Sequence, residues 1–189
     1  MRSAFDKLIS GTGLALAAVL LGAGGLLTWA HTFIGDQVHD QLSMQGITMP
    51  EGDALAALPD SDAKALEDYA GSKLDTGSEA QAFADHYILV HMNEASEGKT
   101  YEEVSGEFVA LSDEDKAAEE GQALGALRQT LFMGNTLRGL LLYGYAFATI
   151  GTIAGIAAGV SFVSAALMLV LGLLGLRHAR RVETAPVTV

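Results

Sequence analysis

The 189-residue chain has no cysteine. That excludes disulfides, cysteine-bound zinc, iron–sulfur clusters, thiol nucleophiles and a lipid-modified cysteine anchor. Bases are scarce: 11 Lys or Arg stand against 23 Asp or Glu, for a net charge of −12. Nucleic acid is therefore not expected as a partner, because a phosphate backbone is held by clustered Lys and Arg. Proline is rare (3 residues), strand-like alternation is missing, and there is no Gly-x-Ser-x-Gly elbow, Gly-Lys-Ser phosphate loop or dinucleotide fingerprint. No catalytic residue and no cofactor is expected. What the chain does have is 50% hydrophobic residues, an unusual companion to so much acid.

The two excesses separate along the sequence. Residues 8–34 carry no charge, and neither do the 38 positions of 139–176. A membrane helix needs about 20 apolar residues at ~1.5 Å rise each, so both runs suffice. Between them, residues 36–137 hold 21 acids and 5 bases, a net of −16. The expected organisation is a cytoplasmic N-terminus (1–7), a first transmembrane helix (8–34), an acidic helical extracytoplasmic domain with a helical stalk (35–138), a long second helix that includes the second span (139–176), and a basic cytoplasmic tail (177–189).

Orientation follows from the flanks. Arg2 and Lys7 precede the first run, and Arg177, Arg180 and Arg181 follow the second; short basic flanks stay in the cytoplasm. Both termini inside requires an even number of spans, hence two, in the plasma membrane. A cleaved signal peptide would have an apolar stretch of about 7–15 residues and a small-residue cleavage site. The first run is longer and Thr28-Trp29-Ala30 is a poor site, so an uncleaved anchor is expected. Two spans in the second run would leave no residue for a turn. With Leu176 at the inner boundary, a core of ~30 Å ends near Ala154 to Ala157, and Trp29, Arg138, Tyr143 and Tyr145 become interface anchors.

Helical spacing continues outward from both spans, through Val38 and Leu42 on one side and Leu124, Leu127, Leu131 and Gly134 on the other. The fold expected is all-α: two long antiparallel helices, near 8–46 and 113–181, crossing the membrane and extending into an acidic helical cap. The second opens at a capping-box-like Ser112 to Asp115. Within the cap, short helices are expected over 53–58 and from Ser61 to about Gly71. Ser78 with Gln81 would cap a helix of about 79–95, and Thr100 with Glu103 a further one.

Gly151-x-x-x-Gly155-x-x-x-Gly159 forms a small-residue strip on one face of a helix, and Ala18-x-x-x-Gly22 offers a match in the first span. Packing of the two spans on each other is the plain reading; docking of another protein or a second copy is the sharper one. His86 and His91 are five residues apart, the wrong spacing for chelation from one helix. A metal site would have to combine His31 or His39 with His86 or His91 and an acid. The simpler reading is a partly buried His91 beside Tyr87 and solvated or interfacial His elsewhere, with no metal. Asp60-Ser-Asp62 opens like a calcium loop but lacks the glycine and terminal Glu. Arg138 is a lone charge between apolar stretches, and either snorkelling to lipid phosphate or pairing with a cap carboxylate would account for it.

The segments Met1-Arg2-Ser3-Ala4-Phe5-Asp6-Lys7, Gln37-Val38-His39-Asp40-Gln41-Leu42, Ile47-Thr48-Met49-Pro50, Leu127-Arg128-Gln129-Thr130-Leu131-Phe132-Met133-Gly134 and Thr136-Leu137-Arg138-Gly139-Leu140-Leu141 carry a resemblance across most of the chain. The chain resembles a group of uncharacterised actinobacterial two-span membrane proteins, often labelled aromatic ring-opening dioxygenases of the LigA type. That label implies a mononuclear iron, an aromatic substrate and a soluble enzyme. An iron triad needs two His and a carboxylate converging on one pocket, and no such set is read here. The resemblance implies a lineage and no mechanism. The expected function is non-enzymatic: an accessory or scaffold subunit of a cell-envelope complex, in contact with the bilayer and with a protein partner or another copy through the Gly face. The alternative is an extracytoplasmic sensor that binds a cation or small ligand in its cap, and the remote alternative is the ring-opening dioxygenase that the label implies.

Overall fold

The computed structural model describes residues 2–184, with side chains over 3–181. Its elements are α1 (Arg2–Ser43), α2 (Asp53–Ala56), α3 (Asp60–Leu66), a 3₁₀ turn (Glu67–Tyr69), α4 (Gly77–Phe83), a π-helical turn (Ala84–Ile88), α5 (Leu89–Ser96), α6 (Tyr101–Ala110), α7 (Asp113–Ala117) and α8 (Glu119–Thr184). There is no strand among the described residues; Thr48 and Lys73 form an isolated antiparallel bridge. Helices α1 and α8 are both long and apolar enough to cross a membrane. The chain divides into two compact units, one built from the first 35 residues with those from Ile150 onward, the other from Asp36–Thr149.

The first unit is a helix pair with a seven-residue rhythm. On α1, Ser10, Ala17 and Gly24 are buried; on α8, Gly151, Ala158, Ala165, Gly172 and Ala179 are buried. Every one of these side chains is small, so the backbones can approach closely. A Cβ added at Gly172 would meet Leu14 at 2.9 Å and the Ser10 carbonyl at 3.2 Å, one at Gly24 would meet the Phe162 ring at 2.8 Å, and one at Gly151 would meet Ile34 at 3.1 Å. Large residues lie on the outside instead: Leu8, Val19, Leu26, Ile153, Val163 and Leu171 are all more than half exposed.

The second unit is built instead around large apolar side chains, and the smaller Ala80, Ala82 and Ala84 are buried with them. Leu42, Met49, Leu58, Leu66, Leu74, Phe83, Ile88, Met92, Val104, Leu131 and Leu141 form one continuous core. Three of these, Leu42 from α1 and Leu131 and Leu141 from α8, come from the long helices, so the small helices build their core on them. Gly134 of α8 sits against Met92. At Gly77, the first residue of α4, a Cβ would collide with Ala148 and come within 3.2 Å of the Tyr145 Cα. Only glycine lets that helix end approach α8 so closely.

Several expected boundaries move. Helix α1 stops at Ser43, where a turn brings in Gly46 at φ +65°, and α3 ends at Leu66 before the 3₁₀ turn. The capping residue Ser112 opens the five-residue α7, not the long helix. Ala118 then adopts an extended conformation (ψ 159°), and α8 starts at Glu119. The α7 backbone at Asp115 and Lys116 lies directly against Gly121, where a side chain would not fit. The cap of α4 is Thr76 with Glu79, not Ser78 with Gln81. Thr100 with Glu103 does form a complete capping box at α6.

Candidate functional site

Two polar arrangements stand out, one in each unit. In the helix pair, His31 of α1 donates from Nδ1 to the Gly151 carbonyl at 2.8 Å; a carbonyl can only accept, which fixes the hydrogen on Nδ1. Space for the ring comes from Gly155, whose added Cβ would lie 3.0 Å from His31 Nδ1. One turn before His31, Thr28 Oγ1 donates to the Gly24 carbonyl at 2.8 Å. Beside these groups is an open groove of about 440 Å³, lined by Thr28, His31, Thr152, Gly155, Ile156, Ala158, Gly159 and Phe162.

In the second unit the π-helical turn is the organiser. A π turn carries an extra residue per turn and is often found where function or close fitting demands it. Here it lets consecutive residues reach different elements. Asp85 accepts from Arg138 Nη2 of α8 at 2.6 Å, and His86 Nδ1 lies 2.8 Å from Asp62 Oδ1 of α3. Arg138 and Asp85 are each 29% exposed, and Arg138 Nε is buried with no hydrogen-bond partner among the described residues.

Near the start of α4, the nearly buried Glu79 carboxylate collects four hydrogen bonds, from Ser72 Oγ, the Asp75 and Thr76 backbone N–H groups and Thr76 Oγ1. Burial pushes its pKa up, but the Asp75 N–H, the Thr76 and Ser72 hydroxyls and the Thr76 N–H together outweigh that and hold it below the ordinary value. At the exposed α6 cap, the Thr100 backbone N–H and hydroxyl likewise lower Glu103.

The structure distributes the residues singled out in the sequence. Gly151 and Gly155 lie against Ile34 and His31, whereas Gly159 has nothing within 4 Å of an added Cβ. Ala18 and Gly22 are exposed, and Ala17 and Gly24 take the buried positions instead. The reason is the period: small residues at every fourth position drift off the contact face, while those at every seventh stay on it.

Arg138 pairs with a carboxylate, the second of its two expected roles. Trp29 stacks on Phe33 at 5.4 Å and is 63% exposed, as is Tyr143 at 67%; Tyr145 is half-buried. His39 lies 3.8 Å from Asp75, His86 binds Asp62, and His91 donates to the Tyr87 carbonyl with its ring 4.3 Å from the Tyr87 ring. His91 is exposed, not partly buried. His31, His39, His86 and His91 each have a separate partner, and among the described residues no three His, Asp or Glu side chains converge as a metal set would. The Asp62–His86 contact, and Asp85 as the carboxylate that Arg138 meets, are not legible in the sequence, because residues 24 and 53 positions apart give no local signal.

These features define an all-helical chain with two candidate membrane-spanning helices. Comparison with known protein families, with curated proteins and with solved structures gives no match to it.

Proposed function

We propose that the chain is a non-enzymatic integral membrane protein, an accessory or scaffold subunit of a cell-envelope complex. In this reading α1 and α8 cross the plasma membrane antiparallel, both termini are cytoplasmic, and the acidic unit of residues 36–149 lies outside. One observation carries it. In the most apolar windows of the two helices only 11% and 17% of residues are buried. Leaving a large apolar side chain in water forgoes about 1.5–3 kcal/mol, and more than a dozen are exposed on these helices. Lipid removes that penalty, whereas the core helix of a water-soluble protein would be covered by its own chain.

The antiparallel arrangement is supported by the order of contacts: Ser10 and Leu14 meet Gly172, Gly24 meets Phe162, and Ile34 meets Gly151, so one number rises as the other falls. The basic flanks supply the orientation. The exposed apolar surface supports a role in holding other components.

Because the chain lacks cysteine, topology can be read with single-cysteine variants. On intact cells, a membrane-impermeant maleimide is expected to label Ser112→Cys and to spare Thr188→Cys until the membrane is opened. Labelling of both, or of neither after opening, would contradict the topology. Crosslinking in native membranes followed by mass analysis tests the scaffold role; recovery of a strict monomer would count against it.

A further inference from the structure

We propose that the groove beside His31 binds the head and first chain segment of a neutral, hydroxyl-bearing lipid of the diacylglycerol type. This rests on the membrane reading above and adds a ligand to it. The groove changes character along its length, with His31 and Thr152 towards one end, where Gly155 lies under the His31 ring, Phe162 towards the other, where it meets Gly24, and Thr28 between them. From Thr152 to Phe162 an α-helix rises ~15 Å, a stretch along which an acyl chain can lie. Gly159, where an added Cβ meets nothing within 4 Å, keeps that floor open.

The polar end selects the head group. Thr28 Oγ1 gives its hydrogen to the Gly24 carbonyl and His31 Nδ1 gives its own to the Gly151 carbonyl, both at 2.8 Å. What these groups retain are lone pairs: the Thr28 oxygen and, in the neutral ring, His31 Nε2. Acceptors are complemented by a ligand that donates, which a hydroxyl does and a fully ionised phosphate does not. The charge of the chain points the same way. The chain carries a net −12, which disfavours an anionic head group. Hydroxylated, uncharged and amphiphilic is the chemistry that fits both ends.

The test uses the full chain in phosphatidylcholine nanodiscs. Its probes are a diacylglycerol and a phosphatidic acid bearing the same photoreactive acyl chain. The expected result is diacylglycerol labelling concentrated in residues 152–162 and weak labelling by phosphatidic acid. Gly159→Leu fills the groove at a position where an added Cβ meets nothing within 4 Å; the fold is expected to be retained and labelling to fall roughly tenfold. His31→Ala removes one acceptor and should cost roughly fivefold, the worth of about one hydrogen bond. Circular dichroism of both variants checks that helicity is unchanged.

The proposal is overturned by labelling that Gly159→Leu leaves undiminished, by preference for phosphatidic acid, or by adducts joining residues 152–162 to a second copy of the chain. Resistance of the wild-type protein to carbonate extraction from its native membrane separates the two readings. Retention with unselective labelling removes the groove assignment alone, and loss of retention removes the membrane reading with it.

Discussion

The two units bury opposite kinds of residue. Residues 36–149 enclose Leu, Met, Phe and Val, and Leu66, Val104, Leu74, Met49 and Leu131 are almost wholly covered. The helix pair encloses Ser10, Ala17, Gly24, Gly151, Ala158, Ala165, Gly172 and Ala179 and turns its Leu, Ile, Val and Phe outward. A core of large apolar side chains is what water drives together, in rough proportion to the apolar area removed. A contact of small residues gains little from water. It gains from close backbone approach, the arrangement favoured where the surroundings are themselves apolar. The two units are thus packed by different rules, and the contrast supports the membrane reading proposed for the helix pair.

The contrast can be broken from either side. Leu66→Ala leaves a cavity in the large-residue core and is expected to cost about 2–5 kcal/mol, read as a lowered midpoint in thermal unfolding followed by circular dichroism. Ala165→Leu forces a large group into the small-residue contact and is expected to cost about 1–3 kcal/mol as overpacking. It should be read in detergent or nanodiscs, and if Ala165→Leu is neutral there, the close contact is not what holds the pair together. Arg138→Ala strands the part-buried Asp85 carboxylate and is expected to cost about 1.5–3 kcal/mol, with Asp85→Asn costing less because the amide needs no countercharge.

Glu79→Gln comes next, at about 1 kcal/mol for a weakened cap. Its pH behaviour is distinctive. The folded-state pKa of Glu79 is depressed, so its contribution is present above the unfolded glutamate pKa and is lost as pH falls through the folded value. Stability of the second unit should therefore decline on acidification below the ordinary glutamate range, and the variant should show a shallower decline. Gly159→Leu, at the bottom of the scale, should leave stability within about 0.5 kcal/mol, as surface substitutions do.

Much of this architecture was legible in residue order. The charge-free runs announced the two long helices, and Thr100 with Glu103 announced the start of α6, because capping needs only local spacing. The failures have physical causes. At α4 two overlapping boxes compete, Thr76 with Glu79 and Ser78 with Gln81. Ser72 and Asp75 also donate to Glu79, and that help comes from a turn whose shape the sequence does not display. The glycines drew attention at a spacing of four, while the contact runs at seven through alanines that look unremarkable. Neither the π turn nor the partners it serves, Arg138 and Asp62, has a local signature. The sequence offers His31 as one possible member of a metal set, not as a partner of Gly151; that bond crosses 120 residues.

The seven-residue rhythm has one further consequence. A straight α-helix turns ~20° away from a strict seven-residue repeat with each heptad. Over the four heptads from Gly151 to Ala179 the buried line would wander by ~80°, a quarter of the way round the cylinder. The line stays buried throughout, so the two helices must coil about each other to follow it. A repeat of seven, shorter than two full turns, sets that coil left-handed. Inserting four residues would unwind that coil locally, and a right-handed coil would need an 11-residue repeat sustained along both helices.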